Sequence, residues 1–208
     1  MLRSMCGWAY AARILDRHPL DGMRGPPHDK VRLHVPVEQA RYLLSFAAQQ
    51  VFAAQEVADA CGGPAGDRRA RSALHHAQQL LLLTRLAADS GARRGELATL
   101  QLGDLDGDVL TIARSTSNEV IGPTKSGRIR RLTLGSTTAE LWRDTVRQWG
   151  GRSAGTEFGP WLFSPETDHR TRLSTSCLGH WFATLCDDAG LPDVTLHRLR
   201  HSVATALV

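Results

Sequence analysis

Thr195-Leu196-His197-Arg198-Leu199-Arg200-His201 and, far upstream, Gly91-Ala92-Arg93-Arg94-Gly95-Glu96-Leu97 are the two stretches on which the reading of this chain turns. The later one opens a helix. Leu199, Val203, Ala206 and Leu207 recur at helical spacing, and Thr195 is placed to cap the first turn. One turn of that helix sets His197 and Arg200 side by side. The earlier stretch follows a helix-end signal at Ser90-Gly91 and begins a short helix from about Arg94 to Leu100. There Glu96, three residues on, shares a face with Arg93 and can orient it. Between the two lies Thr124-Lys125-Ser126-Gly127, a turn that leads into the basic strand Ile129 to Leu134. Two arginine centres, a histidine and a lysine suit one task, holding a phosphate while it is attacked. Guanidinium groups match phosphate oxygens bidentately and stay charged at any relevant pH, whereas lysine can give up a proton.

The H-x-x-R spacing alone is weak evidence. With 9 histidines and 23 arginines a chance match is expected, and His169-Arg170-Thr171-Arg172 supplies one. It lies in the polar run Pro165 to Asp168, without helical periodicity, whereas His197 opens an apolar helix.

The ordered set G-x-R-x-x-E, then T-K-S-G before a basic strand, then H-x-L-R-H resembles the catalytic domain of the tyrosine recombinases, the phage-integrase family. The resemblance covers roughly residues 30–208. It implies an α+β, mostly helical DNA breaking-rejoining fold with a small antiparallel sheet. It implies Arg93 and Arg200 as the two catalytic arginines, Lys125 as general acid for the departing 5′ oxygen, and His197 as the histidine that positions the phosphate. Arg94 rivals Arg93, and only the G-x-R-x-x-E spacing prefers Arg93. Double-stranded DNA and other recombinase protomers are the implied partners, with no cofactor. The family's nucleophilic tyrosine follows its H-x-x-R box, whereas the tyrosines here are Tyr10 and Tyr42. The expectation is therefore a site that positions a scissile phosphate but does not cleave it alone. Leu178-Gly179-His180 spells the family's later L-G-H box but precedes H-x-x-R, and is read as coincidence. The alternative reading is a non-catalytic DNA-binding or regulatory remnant of an integrase.

Composition narrows the rest. A length of 208 residues, 42% of them hydrophobic, supports one sizeable domain with a short appendage. Net charge is +4 and the sequence pI about 9.2, which permits an anionic partner without demanding one. Cys6, Cys61, Cys177 and Cys186 show no paired spacing, so neither a zinc ribbon nor a disulfide framework is indicated, and a reducing cytoplasm is expected. His197 and His201 have a zinc-ligand spacing, but the residues between them include no glutamate, and no metal is expected. The apolar run Leu80 to Leu83 is too short to span a bilayer.

Residues 1–28 read as the remnant of a DNA-clamping domain and its linker: Trp8 to Leu15 as a helix end, then His18-Pro19-Leu20 and the Gly/Pro-rich stretch Gly22 to Pro27. Residues 29–208 read as a truncated catalytic domain. Helices are expected over 36–60, 68–89, 138–149, 174–189 and 196–208. Strands are expected at Val109 to Ala113 and Ile129 to Leu134, with turns at Gly122-Pro123 and Ser126-Gly127. Trp142, Trp149, Trp161 and Trp181 are assigned to the core.

Overall fold

The computed structural model describes residues 2–21, 34–61, 64–124, 127–149 and 159–206. The chain divides into two compact units, Met1–Arg32 and Leu33–Val208. The first carries helix α1 (Leu2–Ala11), which stops short of the expected Leu15 because Arg13 turns to φ 57°. Beyond it the His18 ring meets Tyr10 edge-on at 6.1 Å, and its Nδ1 accepts the Leu20 N–H at 3.2 Å.

The second unit is built around α3 (Pro64–Ser90). Leu80, Leu81, Leu82, Leu83, Leu86 and Ala87 are all buried, although four consecutive leucines cannot share one helical face. They can all be buried because α2 (Val37–Ala60), α5 (Ser136–Trp149), α6 (Thr175–Asp188) and α7 (Leu196–Ala206) pack around α3. Each fully buried leucine contributes about 1.5–3 kcal/mol. The start of the unit is tied to α7: Ser202 Oγ accepts the Val35 N–H at 2.7 Å.

Between α3 and α5 the chain forms the short α4 (Arg94–Leu97), a single 3-10 turn at Leu102–Asp104, and two small antiparallel sheets. One sheet has the order β1 (Leu105–Asp106), β2 (Val109–Ile112), β5 (Arg130–Thr133). Leu110 and Ile112 face the core from β2, paired with Leu132 and Arg130 of β5. The second sheet is a hairpin of β3 (Arg114–Ser117) and β4 (Val120–Pro123).

The hairpin corrects the sequence reading. Gly122 and Pro123 are not a turn but the end of β4, opposite Ser115 and Arg114. The chain reverses at Asn118 and Glu119, both at positive φ (50° and 63°), the geometry of a two-residue hairpin turn. β4 has one partner strand, so Pro123 can stand on its open edge. At the hairpin tip the Glu119 carboxylate accepts the Thr175 N–H at 3.1 Å and the Thr175 hydroxyl at 2.7 Å, and pairs with Arg172. This fixes the hairpin to the start of α6.

Trp142 and Trp161 are buried, and Trp181 packs at the core's edge. The Trp149 side chain lies outside the described residues. Trp142 Nε1 donates to the Leu102 carbonyl at 3.0 Å, joining α5 to the 3-10 turn. The adjacent His75 and His76 diverge: His75 faces the His169 ring at 5.5 Å, and His76 faces Trp181 at 4.2 Å. Burial lowers the pKa of His75 and His169, only partly offset by their bonds to the Ser164 and Trp161 carbonyls.

Candidate active site

α3 ends at Ser90, and Gly91 at φ 55° turns the chain out of the helix, a conformation that glycine adopts at little cost. Arg93 follows in extended geometry as the N-cap of α4. It therefore projects from a corner and not from a helical face. Glu96 points inward and its side chain is 0% exposed. Its carboxylate accepts the Arg93 N–H at 2.8 Å and Arg93 Nη1 at 3.0 Å. A third donor, Arg130 Nη2, arrives from β5 at 2.5 Å.

Gly95 allows this packing. A Cβ there would lie 2.5 Å from the Thr116 carbonyl oxygen and 3.0 Å from Ser115 Oγ. α4 rests directly on the β3 backbone, which leaves no room for a side chain.

Arg200 reaches the same corner from α7, where its Nη1 donates to the Gly91 carbonyl. Thr195 caps α7, its Oγ1 accepting the Arg198 N–H at 3.2 Å. The cap sets His197 in the first turn, where its Nε2 lies 3.0 Å from Nε2 of His201. Arg93, Arg94, His197 and Arg200 line one cavity of about 630 Å³, with Gly179 and Phe182 of α6 also on its wall. Lys125 and Ser126 lie outside the described residues. Their flanks form a turn: Gly127 N–H donates to the Thr124 carbonyl at 2.7 Å, and Thr124 Oγ1 donates to the Arg128 carbonyl at 2.7 Å.

The charge in this corner is unbalanced. Arg93 and Arg130 both act on Arg200 through space, and Glu96, paired with Arg93 and Arg130, opposes them. Arg200 has its pKa pulled below the usual guanidinium value, first by burial and then by Arg93, with Glu96 opposing. A guanidinium stays protonated even so. An anion entering the cavity would relieve that repulsion and find fork-shaped donors ready to bind it.

The family model described as Phage integrase family matches residues 69–208, the span that holds both arginine boxes. The chain belongs to the phage integrase family. No curated protein matches it at a significant level. Among solved structures, XerA recombinase aligns with a TM-score of 0.57 at 19% identity, over 99% of this chain and 61% of that one. The Tn1549 transposon integrase aligns at 0.56 and 16%, over 99% of this chain and 63% of its own. A lambda integrase fragment, residues 75–356, aligns at 0.57 and 17%, over 98% of this chain and 62% of its own. At such identities the likeness shows the fold alone. The chain spans about three fifths of the length of each.

Two residues that build this corner escaped the sequence reading. Arg130 went unremarked within the basic strand. Its signal is the two-residue alternation of β5: Arg130 shares a face with the half-buried Leu132, whereas Arg131 and Thr133 are exposed. Gly95 was read only as part of a motif. The competing H-x-x-R is used structurally and does not line the cavity. His169 is buried, its Nδ1 2.7 Å from the Trp161 carbonyl oxygen, and Arg172 pairs with Glu119. No group of three or more metal-ligating side chains gathers among the described residues, and none of the described helices is long and apolar enough to cross a membrane.

Proposed function

We propose that this chain takes part in site-specific DNA recombination as the phosphate-holding part of a tyrosine-recombinase site. The observation that carries the proposal is the convergence of Arg93, His197 and Arg200 on one cavity with a surplus of positive charge. In this reading Arg93 and Arg200 bind the non-bridging oxygens of a scissile phosphate, where each preplaced donor supplies about 3–4 kcal/mol of transition-state stabilisation. His197 orients the phosphate. Lys125 protonates the departing 5′ oxygen, a task that needs a transferable proton. Residues 29–208 are proposed as catalytic domain, and residues 1–28 as the end of a DNA-clamping domain with its linker. Structures of the same fold bound to DNA, those of the Tn1549 and lambda integrases, support double-stranded DNA and further protomers as partners.

The nucleophile is the open place in this scheme. The tyrosines of the sequence are Tyr10 and Tyr42, and Tyr42 does not line the cavity. Arginines stabilise charge but do not attack. In both readings the chain therefore holds DNA without cleaving it alone, in the second as a non-catalytic DNA-binding or regulatory remnant of an integrase. Two assays test these proposals. Duplex DNA should bind with an affinity that falls with salt, the log-log slope near −0.9 per neutralised phosphate. On a nicked suicide substrate the chain should form no 3′-phosphotyrosyl adduct. Salt-independent binding would contradict the phosphate site, and an adduct on Tyr10 or Tyr42 would contradict the assignment of the nucleophile.

A further inference from the structure

Arg94 is the neighbour of Arg93 in sequence but not in environment. As the first residue of α4 it leans the other way, onto α6, where its guanidinium lies over Gly179. A Cβ at Gly179 would come within 3.0 Å of Arg94 Nη1 and 3.4 Å of its Cδ, so the absence of a side chain there leaves the room Arg94 occupies. Arg94 and Gly179 both line the cavity that holds Arg93, His197 and Arg200. The two neighbouring arginines differ in charge balance. Arg93 is held by the buried Glu96, and Arg114, Arg130, Arg143, Arg147, Arg172 and Arg198 each have a carboxylate within 4.0 Å. Among the described residues Arg94 has no such ion pair, and it is exposed. An exposed, uncompensated guanidinium on the wall of a basic cavity is placed to take a second anionic group beside the one held between Arg93 and Arg200.

We infer that Arg94 binds a DNA backbone phosphate next to the scissile one, so that the cavity grips two consecutive phosphates. This rests on the phosphate-site reading above and adds a residue to it. Arg94 then sets the register of the strand in the cavity and leaves charge stabilisation at the reacting phosphate to Arg93 and Arg200. On this account both arginines of the Arg93-Arg94 pair are used, on different phosphates, and they do not compete for one role.

The test is duplex binding by the full chain, followed by fluorescence anisotropy over a salt series, for the unaltered protein and for R94Q, R94K and R143Q. Arg143 lies on α5 and is paired with Asp108, so it controls for loss of an arginine elsewhere. R94Q should flatten the log-log salt slope by about 0.9, so that its deficit in affinity shrinks roughly threefold between 50 and 200 mM salt. R94K keeps the charge and should keep the slope, and R143Q should match the unaltered protein. Equal melting temperatures for the unaltered chain and R94Q show that the change is not one of folding. A slope for R94Q equal to that of the unaltered chain overturns this inference alone, as does an equal flattening in R143Q. Salt-independent binding by the unaltered chain overturns the phosphate-site reading, and this inference with it.

Discussion

Glu96→Ala should lower the unfolding free energy by about 3 kcal/mol, the low end of what breaking a buried ion pair costs. The low end applies because Arg93 and Arg130 are 46% and 36% exposed and can recover part of their hydration. Three losses combine. The Arg93 N–H loses its acceptor at the α4 N-terminus. The carboxylate that offsets Arg93, Arg130 and Arg200 disappears, so their repulsion is no longer opposed. A cavity is left where a fully buried side chain stood. Glu96→Gln keeps the shape and an acceptor for the Arg93 N–H, and should cost less than the alanine change. Urea unfolding of the two variants measures this. A loss for Glu96→Ala within about 0.5 kcal/mol, the range of an ordinary surface change, would show that the carboxylate does not organise this corner.

Gly95→Ala should be the second most damaging single change, although it adds one methyl group. That carbon would meet a backbone oxygen at 2.5 Å, and a strand backbone cannot swing aside as a side-chain tip can. α4 must lift off β3, at a cost of about 1–3 kcal/mol by analogy with overpacked cores. The displacement would carry Arg93 and Glu96 with it, so DNA affinity should fall even at temperatures where the variant is folded. Gly103→Ala is the matched control, because a Cβ there meets nothing within 4 Å. Thermal melts of the two variants side by side decide the matter. Equal melting temperatures would remove the close α4–β3 contact from the account.

Much of this was legible in the sequence wherever one face of an element is apolar. The helices at 37–60, 136–149 and 175–188 fall where periodicity placed them, and Thr195 caps α7 as its position before His197 suggested. The β3–β4 hairpin was not legible. Arg114-Ser115-Thr116-Ser117 has no apolar alternation, and Gly122-Pro123 carries a turn composition that an open strand edge tolerates. The site divides in the same way. Arg93, His197 and Arg200 sit in short local spacings that a sequence displays. The Arg130–Glu96 pair spans 34 residues and depends on strand register, and the Gly95 contact depends on how closely two backbones approach. Neither leaves more than a faint trace in the order of residues.

The corner between α3, α4 and α7 is proposed as a phosphate site. Tungstate, a phosphate mimic with a strong anomalous signal, tests it directly when soaked into crystals of the chain. An anomalous peak is expected between the guanidinium groups of Arg93 and Arg200, within hydrogen-bond distance of both, with loss of that peak in crystals of the Arg200→Ala variant. A cavity empty of tungstate, with the anion bound instead at another basic surface such as Arg68 and Arg71 of α3, would contradict it.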